Sequence, residues 1–473
     1  MPHFKTEIQK LNSNITFDEV QNMSYEELKD FIDNMRYEIL QMWNKKNYPP
    51  MIGKNKSDII KSFLKLKDYP LDDLFYTDKN YPQYIGLIKN FKKVGTSVIQ
   101  FFPDMLKTRI NGRSVYDWFS NENLAQEFRR VLVRTLRHDG MYSYSKCLKK
   151  RDSDSFVDWY NNKNGYDFWL EPSSNSEGDD VKVRYEDIKV LQEKNILTEH
   201  HLRNIIDDLR GYSHFNVRYF EKGKNLFPEL IQIFRLGLGQ VPVNFHSLTS
   251  RWIYENYLSE TEQDSYIVYD SSAGWGGRML GSLSSKLNIH YIGTDVNSNN
   301  FGCYEELGEF YNSNCNGTNT YDIFRDGSEI IQKNKRFQKY KGKLDLCFTS
   351  PPYFHREVYS EDKEQSCIKF NNYRDWLSGF LLPTIQTYHE YLKPNRYMII
   401  NISDIKMKEN EYIPLEQDTI SLAVNNGFEF KGIIGMCMTR MIGLNPSEVK
   451  NNIYDEKSRT YYKTEPILVF KKG

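Results

Sequence analysis

Residues 268–285 read VYDSSAGWGGRMLGSLSS. A short apolar, β-branched run ends at the acid Asp270, a glycine-rich turn follows, and a helical pattern begins near Gly277. Glycine lets a backbone adopt positive φ and approach a ligand closely. Strand, glycine turn and helix form the nucleotide-binding corner of a doubly wound sheet. The dinucleotide fingerprint is broken here, because Met279 stands where a third glycine would follow Gly274 and Gly276. An acid at the strand end also repels a phosphate, so Asp270 suits a cationic or neutral ligand.

The next apolar run, HYIGTD, ends at Asp295. A carboxylate at the end of the second strand typically binds both hydroxyls of a ribose. A nucleoside without a phosphate therefore fits, its ribose on Asp295 and an α-amino acid moiety against the glycine turn. S-adenosylmethionine has that shape. A third strand is expected at TYDIF, followed by RDGSE. Asp326, Ser328 and Glu329 are candidates for the adenine edge, and sequence does not choose among them. Ser328 is carried among the cofactor contacts.

KLDLCFT is the fourth strand and leads into SPPY, Ser350 to Tyr353. In a doubly wound sheet the first and fourth strands are neighbours at the switch point, where ligands bind outside the carboxyl ends. Prolines have fixed φ and no N–H, so Pro351 and Pro352 stiffen the chain and present only carbonyl acceptors. Ser350 adds another acceptor and Tyr353 a flat face. A Pro-Pro after a strand is usually only a turn. Beside a glycine turn it becomes a receptor for a planar ring bearing an amine.

DSSAGWGG, GTD and TSPPY, in this order and spacing, resemble the S-adenosylmethionine-dependent amino-methyltransferases of DNA, which methylate cytosine N4 or adenine N6. The resemblance covers roughly the C-terminal half. It implies an α/β fold, a Rossmann-like class I methyltransferase sheet of seven strands with EPILVFKK running antiparallel. Carried over residue by residue, Asp270, Ala273, Gly274 and Gly276 match the first cofactor motif. Asp295 matches the ribose-binding acid, and Ser350, Pro351, Pro352 and Tyr353 match the catalytic motif. Ser350 leading the motif leans toward cytosine N4, with adenine N6 or an RNA or protein amide as the alternatives. The partner implied is double-stranded DNA whose target base is flipped out and stacked on Tyr353, with a cognate nuclease in a restriction–modification or phage setting. Ser271 and Ser272 depart from the family, which often has Pro and an aromatic there. A scaffold that binds nucleic acid without catalysis is the reading outside enzymes.

The rest of the chain bounds these expectations. Its 473 residues suggest two or three domains, and residues 1–240 read as mainly helical, with 241–473 as the methyltransferase domain. SYEELKDFIDNMRYEILQMW opens on a Ser cap followed by Glu three residues on. KSDIIKSFLKLKDY and NENLAQEFRRVLVRTLRHDG continue the helical pattern. The amphipathic helix before the strand YMIINISD, YRDWLSGFLLPTIQTYHEYLK, should kink at Pro383. Mean hydropathy of −0.67 and no long apolar run imply a soluble, cytoplasmic protein. The six cysteines form no CxxC pair, so no metal is expected. A zero net charge excludes a wholly basic coat. The basic run QKNKRFQKYKGK, residues 332–343, is a solvated loop or a phosphate contact.

Overall fold

A computed structural model describes residues 15–16, 19–20, 23–46, 55–89, 94–95, 98, 100–110, 112–136, 142–143, 182–183, 244–355, 357–360, 362–406, 412–438, 452–455 and 460–473. The expected division at residue 240 lies outside the described residues.

In the N-terminal part, α1 (Tyr25–Lys46) starts where the sequence places it. Ser24 and Glu27 bond each other's backbone N–H reciprocally, Glu27 Oε2 accepting at 2.7 Å and Ser24 Oγ at 3.3 Å. In α2 (Lys56–Asp68) the Asn55 side chain accepts from the Asp58 N–H. β1 (Phe75–Tyr76), β2 (Gly86–Lys89) and β3 (Arg109–Ile110) follow, then α3 (Val115–Ser120) and α4 (Ala125–Leu136). Helices α1, α3 and α4 share a core around Ile39, Trp43, Phe119 and Phe128.

The C-terminal part begins with α5 (Ser247–Leu258). Strands and helices then alternate as β4 (Tyr266–Asp270), α6 (Gly277–Leu283), β5 (Ile289–Thr294), α7 (Phe301–Asn314), β6 (Thr320–Phe324) and β7 (Leu344–Thr349). They continue through β8 (Glu357–Val358), α8 (Leu382–Tyr391), β9 (Leu392–Asn401), α9 (Leu415–Asn425), β10 (Phe428–Cys437), β11 (Asn452–Asp455) and β12 (Thr460–Lys472). The sheet runs β1-β2-β10-β12-β9-β7-β4-β5-β6, with β11 on β12. Strands β4, β5, β6, β7 and β9 are parallel, and β12 runs antiparallel to β9 and β10. This is the class I methyltransferase sheet, with EPILVFKK inside the antiparallel strand as expected. Alternation splits the core in two: Val268, Phe348 and Ile399 face one layer, Tyr269, Cys347 and Met398 the other.

The sheet extends beyond residues 241–473. β2 pairs in parallel with β10, Ile88 opposite Met436. From α2, Phe63 stacks on Tyr311 at 4.3 Å between ring centroids. The buried Arg251 donates to the carbonyls of Leu66 and Tyr69 at 2.7 and 2.9 Å. The sequence reading missed β1 and β2, because four residues of GLIK flanked by Tyr, Pro and Asn carry too little pattern. At Pro383 the expected kink takes a particular form. Residues Leu377–Leu381 make one π-helical turn just before α8, which accommodates the proline at that helix's start.

No helix among the described residues is long and apolar enough to cross a membrane.

Candidate active site

β4 and β7 lie side by side in parallel, Tyr269 opposite Cys347, so the turns leaving them open at one edge of the sheet. Two cross-links tie those turns together. Thr349 Oγ1 donates to Asp270 Oδ1 at 2.9 Å, and Ser271 Oγ lies 3.3 Å from Thr349 Oγ1. Tyr388 from α8 adds its hydroxyl to Ser271. The glycine turn and SPPY therefore leave neighbouring strands at one edge of the sheet, the edge where this fold places ligands.

Asp270 is fully buried. Its Oδ2 accepts from Arg278 Nε at 2.8 Å and Tyr291 OH at 2.6 Å, and its Oδ1 accepts from Thr349 and, at 3.2 Å, from the Ser272 N–H. Arg278 also donates to the Ser272 carbonyl. The Asp270 carboxylate beside it raises the guanidinium's affinity for its proton against the desolvation of a buried cation. Asp270 thus has its charge and hydrogen bonds met inside the protein.

Gly274 (φ 56°) and Gly276 (φ 69°) both adopt the left-handed region that glycine favours. A Cβ at Gly274 would meet only ordinary contacts, the nearest at 3.6 Å, whereas at Gly276 it would lie 2.7 Å from the Phe102 ring. Ala273 is buried, its N–H donating to the Thr294 carbonyl at 2.9 Å. Asn244, ahead of α5, donates to the Trp275 carbonyl at 2.8 Å. The space beside the Gly274 Cα is left open, where a ligand can approach.

Asp295 follows β5 and is half-buried. Its Oδ1 accepts the Asn297 N–H at 2.8 Å, and Tyr304 OH lies 2.5 Å from its Oδ2. The same hydroxyl lies 2.5 Å from the Gly274 carbonyl, and Asn300 Nδ2 approaches that carbonyl at 3.3 Å. Burial pushes the Asp295 carboxyl above its ordinary value despite these hydrogen bonds. Asp295 and the glycine turn thus form one cradle, and the carboxylate keeps lone pairs for a diol.

The three candidates after β6 are engaged in the fold. Ser328 is buried, its hydroxyl 2.7 Å from Thr384 on α8. Glu329 pairs with Lys369 at 2.9 Å, and Asp326 accepts from Asn334 at 2.7 Å.

At the SPPY corner, Ser350 Oγ donates to Asn401 Oδ1 at 3.1 Å, and Tyr353 OH reaches the same oxygen at 3.2 Å. Asn401, at the end of β9, is buried, and its Nδ2 donates to the Pro466 carbonyl at 3.0 Å. Pro351 is buried, while Pro352 and Tyr353 are half-exposed. The next residue, Phe354, is non-glycine at φ 44° and packs on Tyr373 and Trp376. Local strain of this kind persists where packing over-determines the backbone. His355 Nε2 lies 3.1 Å from the Asn371 carbonyl.

Sequence reasoning missed Arg278, Tyr304, Asn300 and Asn401. Asn401 had a signal, since it ends an expected strand and the carboxyl ends carry the site. The basic run lies just ahead of β7, at the end of that strand opposite SPPY. There Lys339 and Arg336 approach Asp322 at 3.3 and 3.9 Å, and Lys341 pairs with Glu390.

The model of one protein family, described as DNA methylase, matches residues 344–473, from the start of β7 through SPPY to the chain's last residue. That match spans 130 of the chain's 473 residues, and over them the chain is similar to the DNA methylases. The glycine turn and Asp295 lie before the matched span, the turn after β4, which adjoins β7, and Asp295 after β5, the next strand over. No curated protein matches the chain. Among solved structures, TrmN from Thermus thermophilus is 9% identical, with 48% of this chain and 49% of that one covered at a TM-score of 0.30. A second Thermus thermophilus protein, described as a candidate DNA modification methylase, is 18% identical, over 31% and 50% of the two chains, at 0.21. Geranyl diphosphate C-methyltransferase from Streptomyces coelicolor A3(2) is 7% identical, over 48% and 79%, at 0.30.

Proposed function

We propose that the protein transfers a methyl group to the exocyclic amine of a flipped-out DNA base, cytosine N4 being the first expectation. The observation that carries this reading is the Ser350–Asn401 hydrogen bond. A hydroxyl has one proton, and Ser350 spends it on Asn401, so its lone pairs remain for the donors of an amine. Ser350 Oγ and the Pro351 carbonyl accept both amino hydrogens. That favours a pyramidal nitrogen and frees a lone pair otherwise delocalised into the ring. S-adenosylmethionine supplies an electrophilic sulfonium methyl. Gly274, Asp295 and the elements bracing them would hold it beside the corner. Positioning and preorganised acceptors contribute most of the rate.

Base flipping follows from access. A base stacked in a duplex does not reach a corner whose Pro351 is buried. Tyr353, pinned through its hydroxyl, offers the extruded base a half-exposed ring. We assign residues 241–473 to catalysis and the helices α1, α3 and α4 to target recognition. The β3–β8 ladder supports this assignment, pairing Ile110 with Glu357 and so fastening that part of the chain to the loop leaving SPPY.

Mass spectrometry of nucleosides from DNA co-expressed with the protein tests the reading. N4-methylcytosine is the expected product, and N6-methyladenine would reassign the base. Unmodified DNA alongside methylated RNA or protein would overturn it.

A further inference from the structure

We infer that Asn401 makes the pocket selective for an amine over an oxo group by fixing the hydroxyl protons of Ser350 and Tyr353. The inference rests on the reading of Ser350 as the acceptor for the substrate amine. An asparagine amide can present either its oxygen or its nitrogen. Here the choice is made by the Pro466 carbonyl, which can only accept and therefore binds Nδ2 at 3.0 Å. Oδ1 is left facing Ser350 Oγ at 3.1 Å and Tyr353 OH at 3.2 Å. Tyr353 OH also lies 3.3 Å from the Asn401 backbone carbonyl, which likewise only accepts. Both hydroxyls therefore turn their single proton toward Asn401. Asn401 is buried, so no bulk water competes for the arrangement.

The consequence concerns which bases the corner tolerates. Two hydroxyls committed as donors to Asn401 meet a ligand with lone pairs only, and the prolines add carbonyls without N–H groups. An –NH₂ group finds acceptors. A ring carbonyl at the same position finds lone pairs against lone pairs and no donor. Cytosine and adenine carry the amine, whereas uracil, thymine, guanine and hypoxanthine carry an oxo group at the corresponding atom. Asn401 touches no substrate atom in this scheme. It is a positioning residue whose effect passes through Ser350.

The experiment uses the full chain and the sequence motif found methylated in DNA from cells expressing the wild type. Two duplexes carry that motif, one with the native target base and one with its oxo counterpart, uracil for cytosine or hypoxanthine for adenine. Affinity for both is measured by fluorescence anisotropy in wild type, Asn401→Ala and Asn401→Asp, with S-adenosylmethionine affinity measured in parallel. The wild type should prefer the amino duplex by about ten- to hundredfold, the range for mismatched buried polar groups. In Asn401→Ala the Ser350 hydroxyl can rotate and donate, so the preference should fall toward unity with cofactor affinity unchanged. Asn401→Asp, assayed at a pH where its buried carboxyl is protonated, can donate to the Pro466 carbonyl and accept from Ser350, and should restore the preference. Should Asn401→Ala not fold, Asn401→Ser, whose short side chain cannot reach Ser350, reads the same loss. An undiminished preference in whichever of these two variants folds would overturn the inference, as would equal losses of cofactor and DNA affinity. Absence of any methylated base with the wild type would instead remove the functional reading beneath it.

Discussion

Thr349 Oγ1 donates to Asp270 Oδ1 across 2.9 Å, joining the last residue of β7 to the last residue of β4. Together with the Ser271–Thr349 contact, this hydrogen bond holds the two turns of the site in register. Thr349→Val keeps the shape and removes the donor, so a buried carboxylate loses one partner. Stability should fall by about 1–3 kcal/mol, read as a lower midpoint in chemical denaturation. Thr349→Ser, which keeps the hydroxyl, should recover most of it.

The Asp270–Arg278 pair is a harsher case. Arg278→Met would strand the buried carboxylate of Asp270 without its cation. The expected loss is about 3–5 kcal/mol. Denaturation of the purified variant measures it, and a wild-type midpoint would show that the pair is dispensable.

Ser350→Ala separates chemistry from binding. The hydroxyl faces the SPPY corner, and the cofactor cradle around Gly274 and Asp295 does not use it. Turnover should drop by about ten- to a hundredfold, the effect of one lost hydrogen bond in a buried site. Calorimetry should find S-adenosylmethionine affinity unchanged.

Cofactor affinity should depend on pH through Asp295. Burial raises its carboxyl above the ordinary range, so the folded protein holds this proton more tightly than the unfolded chain does. The sign is therefore unfavourable for the charged form. Stability from this group is greater below the unfolded value and diminishes as pH rises through the folded one. Ribose hydroxyls donate to the carboxylate, so affinity should weaken as pH falls through the raised value. Asp295→Asn should bind more weakly at neutral pH and lose that acid dependence, measured by calorimetry at several pH values.

Gly276→Ala should be costly for two reasons. Its φ of 69° strains a residue with a Cβ, by about 1–2 kcal/mol, and that Cβ would press on the Phe102 ring at 2.7 Å. Gly276→Ala with Phe102→Leu should relieve the second effect alone. Thermal melting of the single and double variants separates them.

What could be read from sequence was local. The glycine turn, the acid ending HYIGT and the SPPY corner each lie within a few consecutive residues, and alternation with helices orders their strands. What escaped was assembled across distance. Asn401 reaches Ser350 from 51 residues away, and Tyr304 meets Gly274 from 30. Ordinary residue types at those separations carry no pattern. Arg278 is closer, yet it reads as a solvent-facing residue of α6 until Asp270 is seen buried beside it. The acidic candidates after TYDIF failed to separate for the reverse reason. Their spacing suits a ligand, but Glu329 and Asp326 are engaged by Lys369 and Asn334.

The parallel pairing of β2 with β10 has a practical outcome for anyone trimming this gene. A fragment starting at residue 241 would keep every motif and yet bare the backbone of Ile434 to Cys437, along with the apolar pocket vacated by Phe63 and Phe102. Open strand margins of that sort recruit other chains. Such a shortened product should accumulate as insoluble material, its methyl-transfer machinery intact in sequence and lost in solution.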